Sequence, residues 1–313
     1  MIRKIRLDGI ESAPVWIVAF LGAYSLVHLL VLYAWNGAGQ AFSIQATSGG
    51  TSVLSVAGMA AVGLWLCLVV LRTFPAGSPL RSAWLLLALA AAVQAASIIL
   101  GQFLGSDWLL NPLVWTGHAT PALLSQIRHA ALMAAGPLRL ALLAGAILPA
   151  LRILREFGFW ARPSAADRAI FGVFCLFALC RFGEAGAASL SGESIPLEDW
   201  ISLAGLPILC VLFLEAMLLR QAVARMGSGL VARGWLALVF GIFLTGAGEA
   251  ALWVIPHYSL SLPMAGLAAL NQLLLASAFA LVPACQVAAQ RQAVRPVTEA
   301  EEDLSTSLPA MVR

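Results

Sequence analysis

The chain has 313 residues, 61% of them hydrophobic and 11% charged, and its mean hydropathy is +0.92. Soluble domains carry about 25% charged residues, so this balance speaks against a soluble fold. The formal net charge of +3 comes from basic residues clustered in particular connections, which argues for membrane topology and against nucleic acid as a partner.

The first twelve residues hold Arg3, Lys4 and Arg6 and are expected to stay in the cytoplasm. The apolar run that follows, Ala13 to Trp35, is longer than the about 7–15 residues of a cleaved signal core. No convincing small-x-small cleavage site follows it, so it reads as an uncleaved signal anchor. Seven further apolar stretches follow: Thr51 to Arg72, Ala83 to Leu104, Ala130 to Leu151, Asp167 to Leu190, Trp200 to Gln221, Gly234 to Pro256 and Leu262 to Val287. Each is long enough to cross a hydrocarbon core of about 30 Å at about 1.5 Å per residue. Backbone amides in lipid must bond within their own segment, so stretches of this length predict helices and not barrel strands. The expected fold is therefore all-α: a polytopic membrane protein whose eight transmembrane helices, over residues 13–287, form four antiparallel hairpins.

Apart from Arg128, Arg139 and Arg181, every basic residue falls on the two ends or on alternate connections, among them Arg72, Arg81, Arg152, Arg155, Arg162, Arg168, Arg220, Arg225, Arg233, Arg291 and Arg295. That side is expected to be the cytoplasm, with the chain in the inner membrane and both termini inside. Every tryptophan except Trp65 lies near a stretch end or in a connection, the pattern of interfacial anchors. The connection from Gly105 to His129, with Trp108, Pro112, Trp115 and Pro121, is long enough to lie along the membrane surface or cover a cavity. Ser164 followed by Asp167 reads as a capping pair for the fifth helix. The cysteines, Cys67, Cys175, Cys180, Cys210 and Cys285, all fall within helices without CxxC spacing and read as buried, inert thiols.

A weak repeat links the odd-numbered stretches. The third opens with Arg81-Ser-Ala-Trp84 and the seventh with Arg233-Gly-Trp235; the fifth opens with Asp167-Arg168. Glu184, in Gly183-Glu184-Ala185, stands as far beyond Arg168 as Glu249, in Gly248-Glu249-Ala250, stands beyond Arg233. Gln94-Ala95-Ala96 occupies a comparable place in the third. Duplicated hairpins, each odd helix contributing one polar group to the interior, would give this pattern.

Chemistry is expected at the ionisable groups within the apolar stretches. Arg139, Arg181, Glu184 and Glu249 all fall between the midplane and the outer surface, where each charge costs about 2.5–3.5 kcal/mol on insertion scales. Arg181 and Glu184 are spaced to pair along one helix; Arg139 and Glu249 are the natural pair across the bundle. Gln94, Asn271 and Gln272, with His28 and Thr245, lie at similar depth and complete a candidate ligand-binding cluster, whose alternative is a purely structural polar network. Glu215 lies in the other half of its helix, where it either snorkels toward the surface or serves a proton path. Pro137, next to Gly136 and near Arg139, is expected to kink its helix.

The histidines fall in outer positions without ligand spacing, leaving His28 and His129 as a weak metal or haem pair; no cofactor is expected. The only lysine is Lys4, which excludes a retinal Schiff base. Walker A, HExxH and GxSxG patterns are missing, so no catalytic residue is assigned. Residues 288–313, ending in an acidic patch of Glu299, Glu301, Glu302 and Asp303, read as a flexible cytoplasmic tail. Without catalytic motif or output domain, the chain reads as a receptor-like or sensor-like membrane domain, or a subunit with another membrane protein or a cytoplasmic signalling partner. A proton-coupled secondary transporter is the alternative, ahead of an intramembrane enzyme or a haem- or metal-binding redox subunit.

Overall fold

The computed structural model describes residues 49–103, 120–159, 162–192, 197–227, 229–257 and 273–291, together with scattered helical positions between 15 and 27 and isolated residues at 117 and 195. The described residues are helical apart from turns and short irregular links, with no strand among them. The helices are α1 (Gly49–Thr73), α2 (Pro79–Phe103), α3 (Pro121–Glu156), α4 (Ala165–Leu190), α5 (Leu197–Arg225), α6 (Leu230–His257) and α7 (Leu273–Arg291). Six of them, α2 to α7, are long and apolar enough to cross a membrane, and α1 adds a shorter apolar run, Ala57–Thr73. The chain is thus an all-helical, multi-pass membrane protein.

Local sequence sets the helix ends. The connection from α1 to α2 turns at Gly77, whose φ of 90° suits a residue without Cβ, and Ser78 N–H donates to Pro75 O at 3.2 Å. At the start of α4, Asp167 N–H donates to Ser164 Oγ at 3.1 Å and Ser164 N–H donates to Asp167 Oδ2 at 2.9 Å, which completes the expected capping box. Asp167 also accepts from Gln221 Nε2 at 2.6 Å and pairs with Arg220, both on α5. One aspartate therefore caps its own helix and ties it to the next.

The largest departure from the sequence expectation is α3. It begins at Pro121, well ahead of the apolar stretch at Ala130, and runs unbroken through Pro137 and Pro149. Proline suits the first turn of a helix because its missing N–H has no intrahelical acceptor there. A helix needs apolar side chains only where it meets lipid, so the polar segment around Gln126 is helical too. Part of the expected Gly105 to His129 connection is therefore helix; the section before Thr120 lies outside the described residues apart from Gly117.

Helix neighbours run α1 on α2, α2 on α3, α3 on α5 and α5 on α6. Helix α7 closes this series into a ring, because it meets α1 where Gly63 faces Ala280 and α6 where Gly234 and Gly241 face Cys285 and Ala278. Hydrophobic burial supplies little drive between helices already in lipid, so close backbone approach over small residues has to provide contact energy. A Cβ on Gly241 would lie 2.6 Å from Ala278 Cβ, and one on Gly234 would lie 2.9 Å from Cys285 Cβ. These contacts also fix α6 and α7 as antiparallel, since the residue numbers rise on one side as they fall on the other.

Helix α4 stands outside the ring. Only 11% of its apolar span is buried, against 67% for α7, and it packs on α5. Its inner face joins an aromatic stack: Phe174 lies over Phe213 with centroids 4.2 Å apart and rings within 7° of parallel, and Phe213 meets Phe243 at 5.2 Å. Gly246 leaves room for this stack, since a Cβ there would sit 2.3 Å from the Phe213 ring. The thiols of Cys175 and Cys210 also meet across α4 and α5.

Two tryptophans expected at the interface are interior. Trp84 and Trp235, 3% and 8% exposed, stack at a tilt with centroids 6.1 Å apart, joining the starts of α2 and α6. At the same end Gln290 Nε2 donates to Thr73 Oγ1 at 3.0 Å, and Arg220 reaches Asp167. The arginines at the ends of α1, α3, α5 and α7 and at the starts of α2, α4 and α6 therefore gather at one end of the bundle, called the basic end below.

Candidate functional site

The polar groups of α2, α3, α4 and α6 meet toward the end opposite the basic one. Gln94 and Thr245 each lie about 22 Å along their helices from the basic end, by the 1.5 Å rise per residue. Gln94 is 0% exposed and Arg139 is 8% exposed; Arg139 Nη1 donates to Gln94 Oε1, joining α3 to α2. The charge of Arg139 also interacts with Glu249 of α6, and Glu249 in turn feels Arg181 of α4. Arg181 Nη1 lies 3.5 Å from Glu184 Oε2 along α4. The same carboxylate accepts from Trp253 Nε1 at 2.9 Å, and the Arg181 guanidinium sits 6.0 Å from the centroid of that tryptophan.

The groups are thus linked in series, by bonds from Gln94 to Arg139 and from Glu184 to Trp253, and by charge interactions from Arg139 through Glu249 to Arg181. The two ends of the series differ. Gln94 and Arg139 are buried within the ring, whereas Arg181 and Glu184 belong to the peripheral helix, with side chains 25% and 41% exposed. Both residues belong to a membrane-spanning helix, where a charge without its partner is costly, so removal of one member is expected to destabilise at either end of the series.

Arg139 and Glu249 face a cavity of about 320 Å³. From α3 it is lined by Met133, Gly136, Pro137, Arg139 and Leu140; α5 contributes Ser202, Gly205, Leu206 and Leu209, and α6 contributes Thr245 and Glu249. Its depth follows from exposure: Ser202 is exposed and Met133 half-buried, whereas Leu140, Leu209 and Thr245 are buried. Small residues make the space. A Cβ on Gly136 would meet nothing within 4 Å, and Gly205 lies against Pro137, where a Cβ would be 3.5 Å from Cγ. Thr245 Oγ1 donates to Gly241 O at 2.8 Å, so the hydroxyl proton is directed at its own helix. Pro137 has no N–H to donate to the carbonyl of Met133, a residue that also lines the cavity.

Of the residues singled out from sequence, Arg139, Glu249 and Thr245 line the cavity, Gln94 bonds to Arg139, and Arg181 and Glu184 pair with each other on α4. Asn271, Gln272 and His28 lie outside the described residues, as does the side chain of His129. Among the described residues no group of three or more His, Cys, Asp or Glu is arranged as a metal site. Sequence reasoning passed over Ser202, Gly205 and Met133; for the α5 pair, the only signal was the i, i+3, i+4, i+7 spacing of Ser202, Gly205, Leu206 and Leu209. It also passed over Trp253, one helical turn beyond Glu249.

Glu215 of α5 is 4% exposed, and neither carboxylate oxygen has a hydrogen-bond partner among the described residues. It is buried, not snorkelled to the surface. The arginine five residues onward, Arg220, pairs instead with Asp167.

No family model, curated protein or solved structure matches the chain.

Proposed function

We propose that the chain is a non-enzymatic, multi-pass inner-membrane protein, acting as a receptor-like membrane domain or as the subunit of a membrane complex, and that the cavity between Arg139 and Glu249 binds a small ligand. The observation that carries this reading is the cavity itself, in which a buried arginine, a glutamate and a threonine hydroxyl converge beside leucine side chains. Mostly apolar pockets with a few convergent polar groups are the usual form of a small-molecule site. The gathering of arginines at one end supports a cytoplasmic placement of that end. The cavity then lies toward the outside, where a receptor meets its ligand.

We further read the chain as eight spans in four antiparallel hairpins with both termini cytoplasmic; a periplasmic reporter signal at the Arg162 connection or at the carboxyl end would defeat this topology. The ligand site is tested by screening polar small molecules for their effect on the unfolding temperature of the purified protein. At least one class should stabilise the native chain and lose its effect in Ser202→Phe, which obstructs the cavity. If no compound stabilises, or Ser202→Phe responds equally, the site reading is wrong. Purification in mild detergent is expected to retain a stoichiometric partner if the chain serves as a subunit.

A proton-coupled carrier is the second reading, and Glu215 favours it. A buried carboxyl without a hydrogen-bond partner among the described residues is costly unless it has a task. Carriers also expose their central site to each face in turn. Labelling of the cavity from one face only would remove this reading, as would unchanged proton uptake in proteoliposomes of Glu215→Gln.

A further inference from the structure

The cavity presents charges of opposite sign on different helices, Arg139 from α3 and Glu249 from α6, while Leu140, Leu206 and Leu209 make the apolar part of its wall. A ligand of a single sign would satisfy one charged wall and separate the other from the partner it now faces. In surroundings of low dielectric that separation opposes binding. A ligand carrying both signs exchanges the Arg139–Glu249 interaction for two new ones and leaves no charge uncompensated.

The two walls have suitable chemistry for this exchange. Gln94 Oε1 fixes the guanidinium of Arg139 by accepting from Nη1, and a guanidinium presents several donors in a planar fork that matches a carboxylate. On the other side, the Glu249 carboxylate and the Thr245 hydroxyl line the cavity, and both carry acceptor oxygens. Together they suit an ammonium group, which has three donors and no acceptor.

Building on the ligand-site reading above, we propose that the cavity takes a small zwitterion of the α-amino-acid class, with its carboxylate on Arg139, its ammonium on Glu249 and an apolar side chain against Leu140, Leu206 and Leu209. Arg139 and Glu249 set the requirement for both charges, and the leucines set the preference for an apolar body.

The test uses the full chain in detergent and three probe sets: alanine, valine, leucine, methionine and phenylalanine; the matching carboxylates lacking the amine, such as 4-methylpentanoate; and the matching amines lacking the carboxylate, such as isopentylamine. Unfolding temperature is followed against concentration, with equilibrium dialysis of labelled leucine as an independent reading. At least one apolar amino acid should bind, and its singly charged counterparts should need about 10- to 100-fold higher concentration, the loss that accompanies one charge-assisted hydrogen bond. Arg139→Gln should bring the amine closest to the amino acid, and Glu249→Gln should do so for the carboxylate. If a carboxylate or an amine stabilises the native chain as well as its parent amino acid, the zwitterion proposal is overturned while the ligand site stands. If only compounds outside these sets stabilise, in a manner lost in Ser202→Phe, the proposal also falls and the site again stands. Failure of every compound overturns both.

Discussion

Replacing Gly241 by alanine adds one methyl group where α6 and α7 cross. The new Cβ would lie 2.6 Å from Ala278 Cβ, whereas carbon atoms in contact rest at about 3.5–4.0 Å. The helices must therefore part by about 1 Å, and a gap of that size gives up about a quarter to a half of the attraction between the atoms that line it. Overpacking of this kind costs about 1–3 kcal/mol, offset by about 1 kcal/mol because alanine is the better helix former. Gly58→Ala is the control, since a Cβ there meets nothing within 4 Å and only the helix-propensity gain remains. The two variants should differ by about 1–3 kcal/mol, or roughly 5- to 150-fold in the unfolding equilibrium. Adding Ala278→Gly to Gly241→Ala should restore part of the loss. Reversible unfolding in mixed micelles measures these values; if Gly241→Ala were as stable as Gly58→Ala, the close approach of α6 and α7 would be refuted.

Asp167→Ala should cost about 2–4 kcal/mol, because it removes the capping-box bond from Ser164 N–H, worth about 1 kcal/mol, and charge-assisted bonds worth about 1.5–3 kcal/mol. Ser164→Ala, which removes only the cap, should cost about 1 kcal/mol, and equal losses in thermal unfolding would mean that the bonds to Arg220 and Gln221 do not hold α4 to α5. Trp84→Ala should lower stability by about 3–5 kcal/mol through its buried contact with Trp235. Trp65→Ala, at a side chain 62% exposed, should stay within about 0.5 kcal/mol; similar unfolding temperatures for the two variants would contradict the interior pair.

The apolar stretches made the helices legible because a span has to be both long and apolar, and α2, α4, α5 and α6 begin and end within a few residues of the hydropathy boundaries. Hydropathy marks where lipid ends, not where a helix ends, which is why α3 could begin at Pro121 unannounced. Arg139, Glu249 and Gln94 stood out because polar groups are costly in such stretches. Their partners were harder to read. Arg181 and Glu184 pair along one helix, so spacing alone suggested them, whereas the bond from Arg139 to Gln94 depends on the register between α2 and α3, which no spacing encodes. Trp84 and Trp235 have the sequence positions of interfacial anchors, and only the ring of helices turns them inward. The cavity was least legible of all, since Gly136, Gly205 and Ser202 contribute by leaving space.

The account rests on Arg139 and Glu249 being mutually compensating charges at one cavity, and a double-mutant cycle measures this most directly. Arg139→Gln and Glu249→Gln should each cost about 3–5 kcal/mol, because each leaves a charge uncompensated in the bundle. The double variant should be less destabilised than either single one, with a coupling energy of at least about 1 kcal/mol in the unfolding equilibrium. Additive losses, with no coupling between the two changes, would contradict the pairing and with it the site built upon it.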